Sequence, residues 1–354
     1  MNEGPQPRPG LRKMEPYSSP QLDVPVRLNT NECPRPLPKA FFDDLAKLVK
    51  ALPLNRYPDT NMTRLREALA ERNEHPVEGT WAANGSNEIL TELLLAYGGL
   101  GHKAVVFEPT YQLHSRLAWL TQTEVLTFKL QEPFHIGARD TAAAAGLRAN
   151  VTFVCSPNNP TGNAQSLEAI EQLAKDDTSL VIVDEAYVEF GGETARPLVA
   201  EHPNLVVVRT LSKAFALAGA RVGYCLASEA VVQDLQRVRL PYHMSQLAQA
   251  AGFAALQHAD AAAAILDDIR AERDRIAVAL AALEGVTAYP SDANFILFKP
   301  PAGKPAKAVW QGLLDRGVLI RDLTAVIPEA LRVTAGTTEE VDRFLEALRE
   351  VLAA

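Results

Sequence analysis

The chain has 354 residues, 47% of them hydrophobic and 22% charged, which is ordinary for a soluble enzyme and long enough for two domains. Its formal net charge of −8 lacks the basic surplus of a general nucleic-acid binder, so we expect no nucleic-acid partner. The acidic balance is still compatible with a local basic pocket for an anionic substrate.

The spacing of the cysteines and histidines and the length of the apolar runs argue against disulfide-rich, metal-binding and membrane-spanning proteins. Three widely spaced cysteines (Cys33, Cys155 and Cys225) form no CxxC pair, and the seven histidines form no metal-ligand spacing, so we expect neither a disulfide framework nor a metal. The longest apolar run, 276–283, is far too short to span a bilayer, and residues 1–25 lack the apolar core of a signal peptide. The sequence therefore predicts a cytoplasmic protein without a membrane partner.

The first half of the chain predicts an arm followed by alternating strands and helices. Residues 1–30 are rich in proline and should be extended. A helix is predicted at 39–50, and Thr63 can cap the next one. Strands are then predicted at 81–83, 104–107, 124–130, 151–155, 180–183, 205–209 and 222–226, with helices at 88–97, 112–119, 167–175 and 229–239. This pattern predicts a three-layer α/β/α domain with a mostly parallel, seven-stranded sheet.

After residue 241 the pattern changes to a smaller α+β domain. Two Ala-rich helices are predicted first, followed by short strands with flanking helices. The predicted helices are 245–257, 261–283, 306–316 and one from 338, and the predicted strands are 286–289, 294–298, 318–321 and 331–334. We therefore divide the chain into an N-terminal arm (1–30) that packs with the small domain and the site, a large domain (31–243) and a small domain (244–354).

Polar clusters follow the predicted strands of the large domain. They lie at 84–87, 109–111, 156–162, 184–187 and 212–213. In parallel sheets ligands bind at the carboxyl ends of the strands, so these clusters should meet at one site.

Lys213 and Arg221 suggest a phosphorylated aldehyde as the ligand. A lysine in apolar surroundings has a lowered pKa, and its neutral amine can attack a carbonyl to form a Schiff base. An arginine with Thr210 and Ser212 can hold a phosphate. Together these groups indicate pyridoxal phosphate, although Lys213 alone could equally be a surface residue on an Ala-rich helix.

Other strand-end residues could serve the same cofactor. Asp184 could pair with a pyridine nitrogen or simply cap a turn, and Tyr187 and Asn159 could reach its phenolic oxygen or only pack and turn. Tyr111 could stack on the ring. The helix start formed by Gly85, Ser86 and Asn87 is a natural phosphate cradle, with Ser86 as an ordinary cap the simpler alternative.

Arg321 and Arg332 lie in predicted small-domain strands. An unpaired guanidinium is costly there, so a substrate carboxylate or phosphate would explain both, as would internal salt bridges.

Taken together, these strings resemble the fold-type I pyridoxal-phosphate aminotransferases, and within them the histidinol-phosphate aminotransferases. The matching strings, spread over nearly the whole chain, are 28–32, 57–59, 109–111, 156–162, 183–187, 211–219, 294–295 and 331–334. Asn87 stands where the family more often has Asp, and Ala220 stands where Leu is usual.

The resemblance implies a role for each matching residue. Lys213 would be the Schiff-base lysine and proton carrier, and Asp184 the partner of the pyridine nitrogen. Asn159 and Tyr187 would flank the phenolic oxygen, with Tyr111 stacked on the ring. The phosphate would be surrounded by Gly85, Ser86, Asn87, Thr210, Ser212, Arg221 and a Tyr57 lent by the second subunit of a homodimer, and the substrate would be bound by Tyr17, Asn31, Arg321 and Arg332.

The function implied is amino transfer between histidinol phosphate and 2-oxoglutarate, which gives imidazole-acetol phosphate and glutamate in histidine biosynthesis. An aromatic-amino-acid aminotransferase and a phosphoamino-acid decarboxylase of the same fold are the nearest alternatives. A cofactor-sensing transcription regulator is more remote, because residues 1–30 offer no DNA-binding module and the chain is acidic.

Overall fold

The chain folds around two β-sheets in the computed structural model, which describes residues 4–16 and 20–354. The strands are β1 (Val26–Leu28), β2 (Thr80–Ala83), β3 (Lys103–Glu108), β4 (Glu124–Lys129), β5 (Val151–Cys155), β6 (Leu180–Asp184), β7 (Leu205–Thr210), β8 (Gly223–Leu226), β9 (Thr287–Ala288), β10 (Phe295–Lys299), β11 (Val318–Asp322) and β12 (Leu331–Thr334). The helices are α1 (Lys39–Lys50), α2 (Thr63–Arg72), α3 (Ser86–Tyr97), α4 (Leu113–Leu120), α5 (Ala138–Gly146), α6 (Leu167–Ala174), α7 (Glu229–Val238), α8 (Gln246–Gln257), α9 (Ala259–Ala281), α10 (Ala306–Asp315) and α11 (Thr338–Ala353).

The larger sheet has seven strands in the order β2-β8-β7-β6-β5-β3-β4. Only β8 runs antiparallel to its neighbours, so the other strands end at the same edge of the sheet. Strands β5 to β8 are buried along their whole length, which explains their continuous apolar sequence runs. The predicted α/β class with a mostly parallel, seven-stranded sheet is confirmed.

The smaller sheet has five strands in the order β1-β11-β12-β10-β9. Strand β1 comes from the predicted arm and runs parallel to β11, whereas the other pairs are antiparallel. Its Val26 and Leu28 side chains are buried on either side of an exposed Arg27. The arm thus crosses to the C-terminal part of the chain and pairs there through its backbone. This strand was not predicted, because three residues are too few to show a recognisable alternation of apolar and polar side chains.

Two local features differ from the sequence-based expectations. Helix α5 was not predicted; its first turn is closed by Asp140, whose carboxylate accepts a hydrogen bond from Gly137 N at 2.9 Å. The predicted capping of α2 by the Thr63 hydroxyl is wrong, because Thr63 is already the first helical residue. The Asp59 carboxylate satisfies this end instead, accepting hydrogen bonds from Asn61 N at 2.9 Å and Thr63 N at 2.7 Å.

Across residues 4–16 and 20–354, none of the helices combines the length and apolarity that crossing a membrane requires. The three cysteines are free, with Cys155 and Cys225 buried and Cys33 partly exposed.

Candidate active site

A cavity of about 490 Å³ opens at the carboxyl ends of the parallel strands. Its wall is completed by residues after β1 and by strands β11 and β12 of the smaller sheet. The cavity brings together most of the predicted site residues: Asn31, Ser86, Asn87, Tyr111, Asn159, Asp184, Tyr187, Thr210, Ser212, Lys213, Arg221, Arg321 and Arg332. Residues that are far apart in sequence converge because the strand ends share one edge.

Lys213 lies three residues after the end of β7 and is half-buried in this cavity. Its Nζ donates a hydrogen bond to the carbonyl oxygen of Thr30 at 3.0 Å and lies 5.8 Å from the centre of the Tyr187 ring. Burial, assisted by the positive charges of Arg332 and Arg221, lowers the pKa of Lys213 to about 8. A much larger share of the amine is therefore neutral near neutral pH than for an exposed lysine, which makes Lys213 a competent nucleophile and base.

Asp184 ends β6 as a buried carboxylate. One oxygen accepts a hydrogen bond from Ala186 N at 3.1 Å, and the other lies 3.0 Å from His114 Nε2. His114 is itself fully buried and stacks on Phe153, with ring centres 4.7 Å apart. This pairing fixes the carboxylate at the cavity wall, where it can bind a cationic group of a ligand.

The sequence pattern indicates no separate role for His114, which falls inside the predicted helix 112–119. The signal that could have found it is its position three residues after Tyr111, at the start of the helix that follows a strand end. Residues three apart in a helical turn lie on the same side. The rings of Tyr111 and His114 accordingly meet edge to face with centres 5.5 Å apart.

A set of hydrogen-bond donors suited to a phosphate lies at the ends of β2 and β7, on the same edge of the sheet. Helix α3 begins at Ser86, two residues earlier than predicted, with Gly85 as its cap at φ 85°. A Cβ on Gly85 would lie 2.5 Å from Arg221 Nη2, so only glycine lets the guanidinium approach this closely. Arg221 Nη1 donates to Ser212 Oγ at 3.2 Å, and Thr210 Oγ1 lies 2.9 Å from the same oxygen. A helix N-terminus, a guanidinium and two hydroxyls therefore converge here.

Arg332 and Asn159 connect the two sheets across the cavity. Arg332 Nη1 donates to Asn159 Oδ1, and Nη2 donates to the carbonyl oxygen of Asn29 at 3.0 Å. Because the oxygen of Asn159 is engaged, its amide N–H groups are left as the donors that can serve a ligand. Arg321 on β11 stands directly across from Arg332 on β12 in the antiparallel register. Two guanidinium groups thus line one side of the cavity, which favours anionic ligands.

Tyr187 follows β6 and presents a buried phenol to the cavity. Its oxygen accepts a hydrogen bond from Asn31 Nδ2 at 2.9 Å, and its ring meets Phe295 edge to face at 5.3 Å. Burial raises the pKa of Tyr187 to about 12. The phenol is therefore protonated at physiological pH and can donate its hydrogen to a ligand.

Two of the predicted residues within the described chain, Tyr57 and Gly85, do not line the cavity. Tyr57 is 76% exposed and stacks on Tyr242 at a ring-centre distance of 4.1 Å, beside a separate surface depression that includes Leu54 and Leu247. Tyr17 lies outside the described residues. Gly85 lies against Arg221, which does line the cavity.

The fold and the cavity are those of an α/β enzyme whose cavity holds a lysine amine of lowered pKa, a buried carboxylate and a converging set of hydrogen-bond donors. Residues 24–348 match the family model described as Aminotransferase class I and II, and the chain belongs to this family. The resemblance found in the sequence is thereby confirmed.

Similar proteins cover nearly the whole chain. A histidinol-phosphate aminotransferase of Frankia casuarinae is 47% identical over 362 residues, which cover 98% of this chain and 90% of the relative. One of Paenarthrobacter aurescens is 45% identical over 358 residues, covering 98% and 94%. The solved structure of the histidinol-phosphate aminotransferase from Clostridium acetobutylicum has a TM-score of 0.85 at 23% identity and covers 93% of this chain and 99% of its own; it shows that the fold is shared.

Proposed function

We propose that this chain is a pyridoxal 5′-phosphate-dependent aminotransferase of histidine biosynthesis. It interconverts histidinol phosphate and 2-oxoglutarate with imidazole-acetol phosphate and glutamate. The observation that carries the proposal is a single cavity with the Lys213 amine, the cradle of Gly85 and Arg221, and the paired strands that bear Arg321 and Arg332. The relatives of 47% and 45% identity, both histidinol-phosphate aminotransferases, support the choice of substrate.

The donor set of the cavity fits the cofactor group by group. The phosphate belongs at the cradle, where a Cβ on Gly85 would collide with Arg221 and where Ser86, Asn87, Thr210 and Ser212 supply further donors. The Asp184 carboxylate suits a protonated ring nitrogen, and the amide of Asn159 and the phenol of Tyr187 suit the phenolic oxygen. Tyr111 supplies the ring that stacks.

When bound, the cofactor supplies an aldehyde for an amine and an electron-withdrawing ring that stabilises negative charge on the substrate carbon. Lys213 would supply the amine that holds the group, and the same amine would then carry the proton from the substrate carbon to the carbon that bears the cofactor's aldehyde. A base works best when its pKa lies near the working pH, and the value of about 8 for Lys213 meets that condition. Tyr187 and Asn159 keep the phenolic oxygen hydrogen-bonded meanwhile.

The same pair of arginines can serve both substrates. Histidinol phosphate carries a phosphate and no carboxylate, whereas glutamate carries two carboxylates, so each ligand offers an anion to a guanidinium fork. We assign Arg332 to the carboxylate of the amino acid or its equivalent and Arg321, with Tyr17, to the phosphate of histidinol phosphate. Asn31 lines the same wall.

A homodimer belongs to the proposal because Tyr57 lies outside the cavity of its own chain. Leu54, Tyr57, Leu240, Tyr242 and Leu247 form a group of large apolar side chains that are between 42% and 76% exposed. A second copy of the chain would cover them and receive Tyr57 at its cofactor phosphate. Light scattering after gel filtration should give twice the chain mass, and Leu54→Asp should shift the mass toward that of the monomer. A monomeric wild type would contradict the proposed homodimer.

We also propose that the chain divides into a large domain (31–243) and a small domain (244–354), and that the protein is cytoplasmic.

The function is tested by comparing two amino donors with 2-oxoglutarate as acceptor. We expect kcat/KM for histidinol phosphate to exceed that for phenylalanine, and Arg321→Ala to lower the first far more than the second, because only the first carries a phosphate. Arg27→Ala, which changes an exposed arginine on β1, is the matched control and should change neither value. A clear preference of the wild type for phenylalanine would overturn the choice of substrate.

A further inference from the structure

We propose that Thr334 is a positioning residue: its hydroxyl orients the amide of Asn31 so that the phenolic hydrogen of Tyr187 is directed to the cofactor. The inference rests on the proposed function, since it concerns how the chain presents Tyr187 to the cofactor's phenolic oxygen.

A continuous set of hydrogen bonds joins the three side chains. Asn31 N donates to Thr334 Oγ1 at 3.1 Å, and Thr334 Oγ1 donates to Asn31 Oδ1 at 3.0 Å. Asn31 Nδ2 then donates to the oxygen of Tyr187 at 2.9 Å. All three side chains are buried, with 1% to 5% of each residue exposed, so the bonds do not exchange freely with water.

The direction of the bonds follows from the one hydrogen of the Thr334 hydroxyl. Since Thr334 Oγ1 already accepts from Asn31 N, its hydrogen is free to be donated, and the nearby acceptor is Asn31 Oδ1. With its oxygen toward Thr334, the amide must turn its NH₂ group toward Tyr187. The phenolic oxygen therefore accepts from Asn31, and its own hydrogen is left for a ligand in the cavity.

The opposite amide orientation would reverse this assignment. Asn31 Oδ1 would then face Tyr187, accept the phenolic hydrogen and compete with the cofactor for it. That orientation takes away the acceptor that the buried Thr334 hydroxyl has at Asn31 Oδ1, and loss of such a partner costs roughly 1–3 kcal/mol. The hydroxyl thus selects between two arrangements that are otherwise similar in shape.

The backbone around Asn31 is held independently of the amide. Asn31 has φ 56°, a left-handed conformation that asparagine tolerates, and its carbonyl oxygen accepts from Asn294 Nδ2 at 3.2 Å. The side-chain amide can therefore turn without moving the chain. Thr334 ends β12 of the smaller sheet and Tyr187 follows β6 of the larger one, so the orientation depends on both sheets being in contact.

The test is the pH midpoint of the visible absorbance of the holoenzyme. A donor to the cofactor's phenolic oxygen stabilises the negative charge on that oxygen. The oxygen then attracts the proton on the nearby Lys213 nitrogen less strongly, so this proton is released at a lower pH and the midpoint of the absorbance change is low. Thr334→Val keeps the shape and loses the hydroxyl; we expect the midpoint to rise by about 0.5–1 pH unit, the equivalent of one hydrogen bond. Thr334→Ser keeps the hydroxyl and should stay within about 0.2 pH unit of the wild type.

A double variant separates orientation from a merely structural role. Tyr187→Phe should itself raise the midpoint, and Thr334→Val added to it should raise it no further, because the hydrogen to be oriented is gone. An unchanged midpoint in Thr334→Val, or shifts that simply add in the double variant, would overturn the inference. Thr334→Ala gives the same test if the valine variant does not fold.

The proposed function fails separately, if the wild-type protein with pyridoxal phosphate shows no visible band that depends on Lys213.

Discussion

Replacing Lys213 by methionine in the cofactor-free protein is expected to stabilise the fold below about pH 8 and to lose that advantage as the pH rises. The physical reason is the lowered pKa of the lysine, about 8 in the folded protein against 10.5 for a free side chain. Below pH 8 the folded protein must hold a positive charge that burial, Arg332 and Arg221 disfavour. Methionine has a similar length and no charge, so it removes this penalty.

The magnitude follows from the gap between the two pKa values. At about 1.4 kcal/mol for each pH unit, the gap from 10.5 to about 8 sets an upper limit of about 3 kcal/mol. Solvent screening of the half-buried amine reduces this value, and the lost hydrogen bond to the Thr30 carbonyl subtracts about 1 kcal/mol more. A net stabilisation of about 1–2 kcal/mol near pH 7 is expected.

The sign of the pH dependence is fixed by the direction of the shift. Between about pH 8 and pH 10.5 the unfolded wild-type chain binds a proton that the folded chain has released, so wild-type stability rises with pH in that window. The advantage of the variant should therefore shrink through the window. Above pH 10.5 both states hold a neutral amine, and only the lost hydrogen bond remains, so the variant should be slightly less stable than the wild type.

Urea unfolding of both proteins at pH 6.5, 7.5, 9 and 10.5 measures this directly. Lys307→Met, which changes an exposed lysine of α10, is the matched control and should give a small difference that does not vary with pH. A Lys213→Met variant that is destabilised equally at every pH would refute the reasoning, because the amine would then carry no burial penalty.

Three further substitutions test individual parts of the site. His114→Phe removes the partner of the buried Asp184 carboxylate and should weaken pyridoxal phosphate binding about 10- to 100-fold in a fluorescence titration, since bonds to charged groups contribute about 1.5–3 kcal/mol; unchanged affinity would contradict the pairing. Arg221→Ala should weaken pyridoxal phosphate at least about tenfold while leaving pyridoxal unaffected, and an equal loss for both ligands would argue against a phosphate role. Arg332→Lys should raise KM for glutamate about tenfold or more, because lysine cannot form the bidentate bond; a wild-type KM would remove Arg332 from the substrate.

The sequence predicted the strand-end residues of the cavity well because their placement follows from topology. Asp184 ends a buried strand, and Asn159 and Lys213 lie three or four residues after one; parallel strands end at one edge whatever the details of packing. The Gly85 cap was predictable for a similar reason, since a glycine before a helix at a strand end marks a close approach of some other group.

The residues that hydrogen-bond to these cavity residues and hold them in place could not be predicted in the same way. The His114 partner of Asp184 and the Thr334 partner of Asn31 are defined by contacts 70 and 303 residues apart in the chain. Such contacts depend on how two elements are aligned. The spacing of Tyr111 and His114 places the two rings on one side of a helical turn, but it does not identify Asp184 as the partner of the histidine. The buried ion pair of Arg209 and Glu185, with Nη2 and Oε2 2.8 Å apart, was not predicted for the same reason.

The exposed position of Tyr57 has a different origin. Its string, 57–59, resembles the family's, and the role proposed for it belongs to a second copy of the chain. Within the described part of the chain its ring stacks on Tyr242. A contact of the proposed kind would require the second copy, so the structure of one chain does not test it.

The central claim is most directly tested by one turnover with histidinol phosphate in the absence of 2-oxoglutarate. The account predicts that the visible band of the holoenzyme disappears as one equivalent of imidazole-acetol phosphate forms per site, and that adding 2-oxoglutarate restores the band and releases one equivalent of glutamate. Release of carbon dioxide from a phosphoamino acid, or a band unchanged by histidinol phosphate but bleached by phenylalanine, would contradict it.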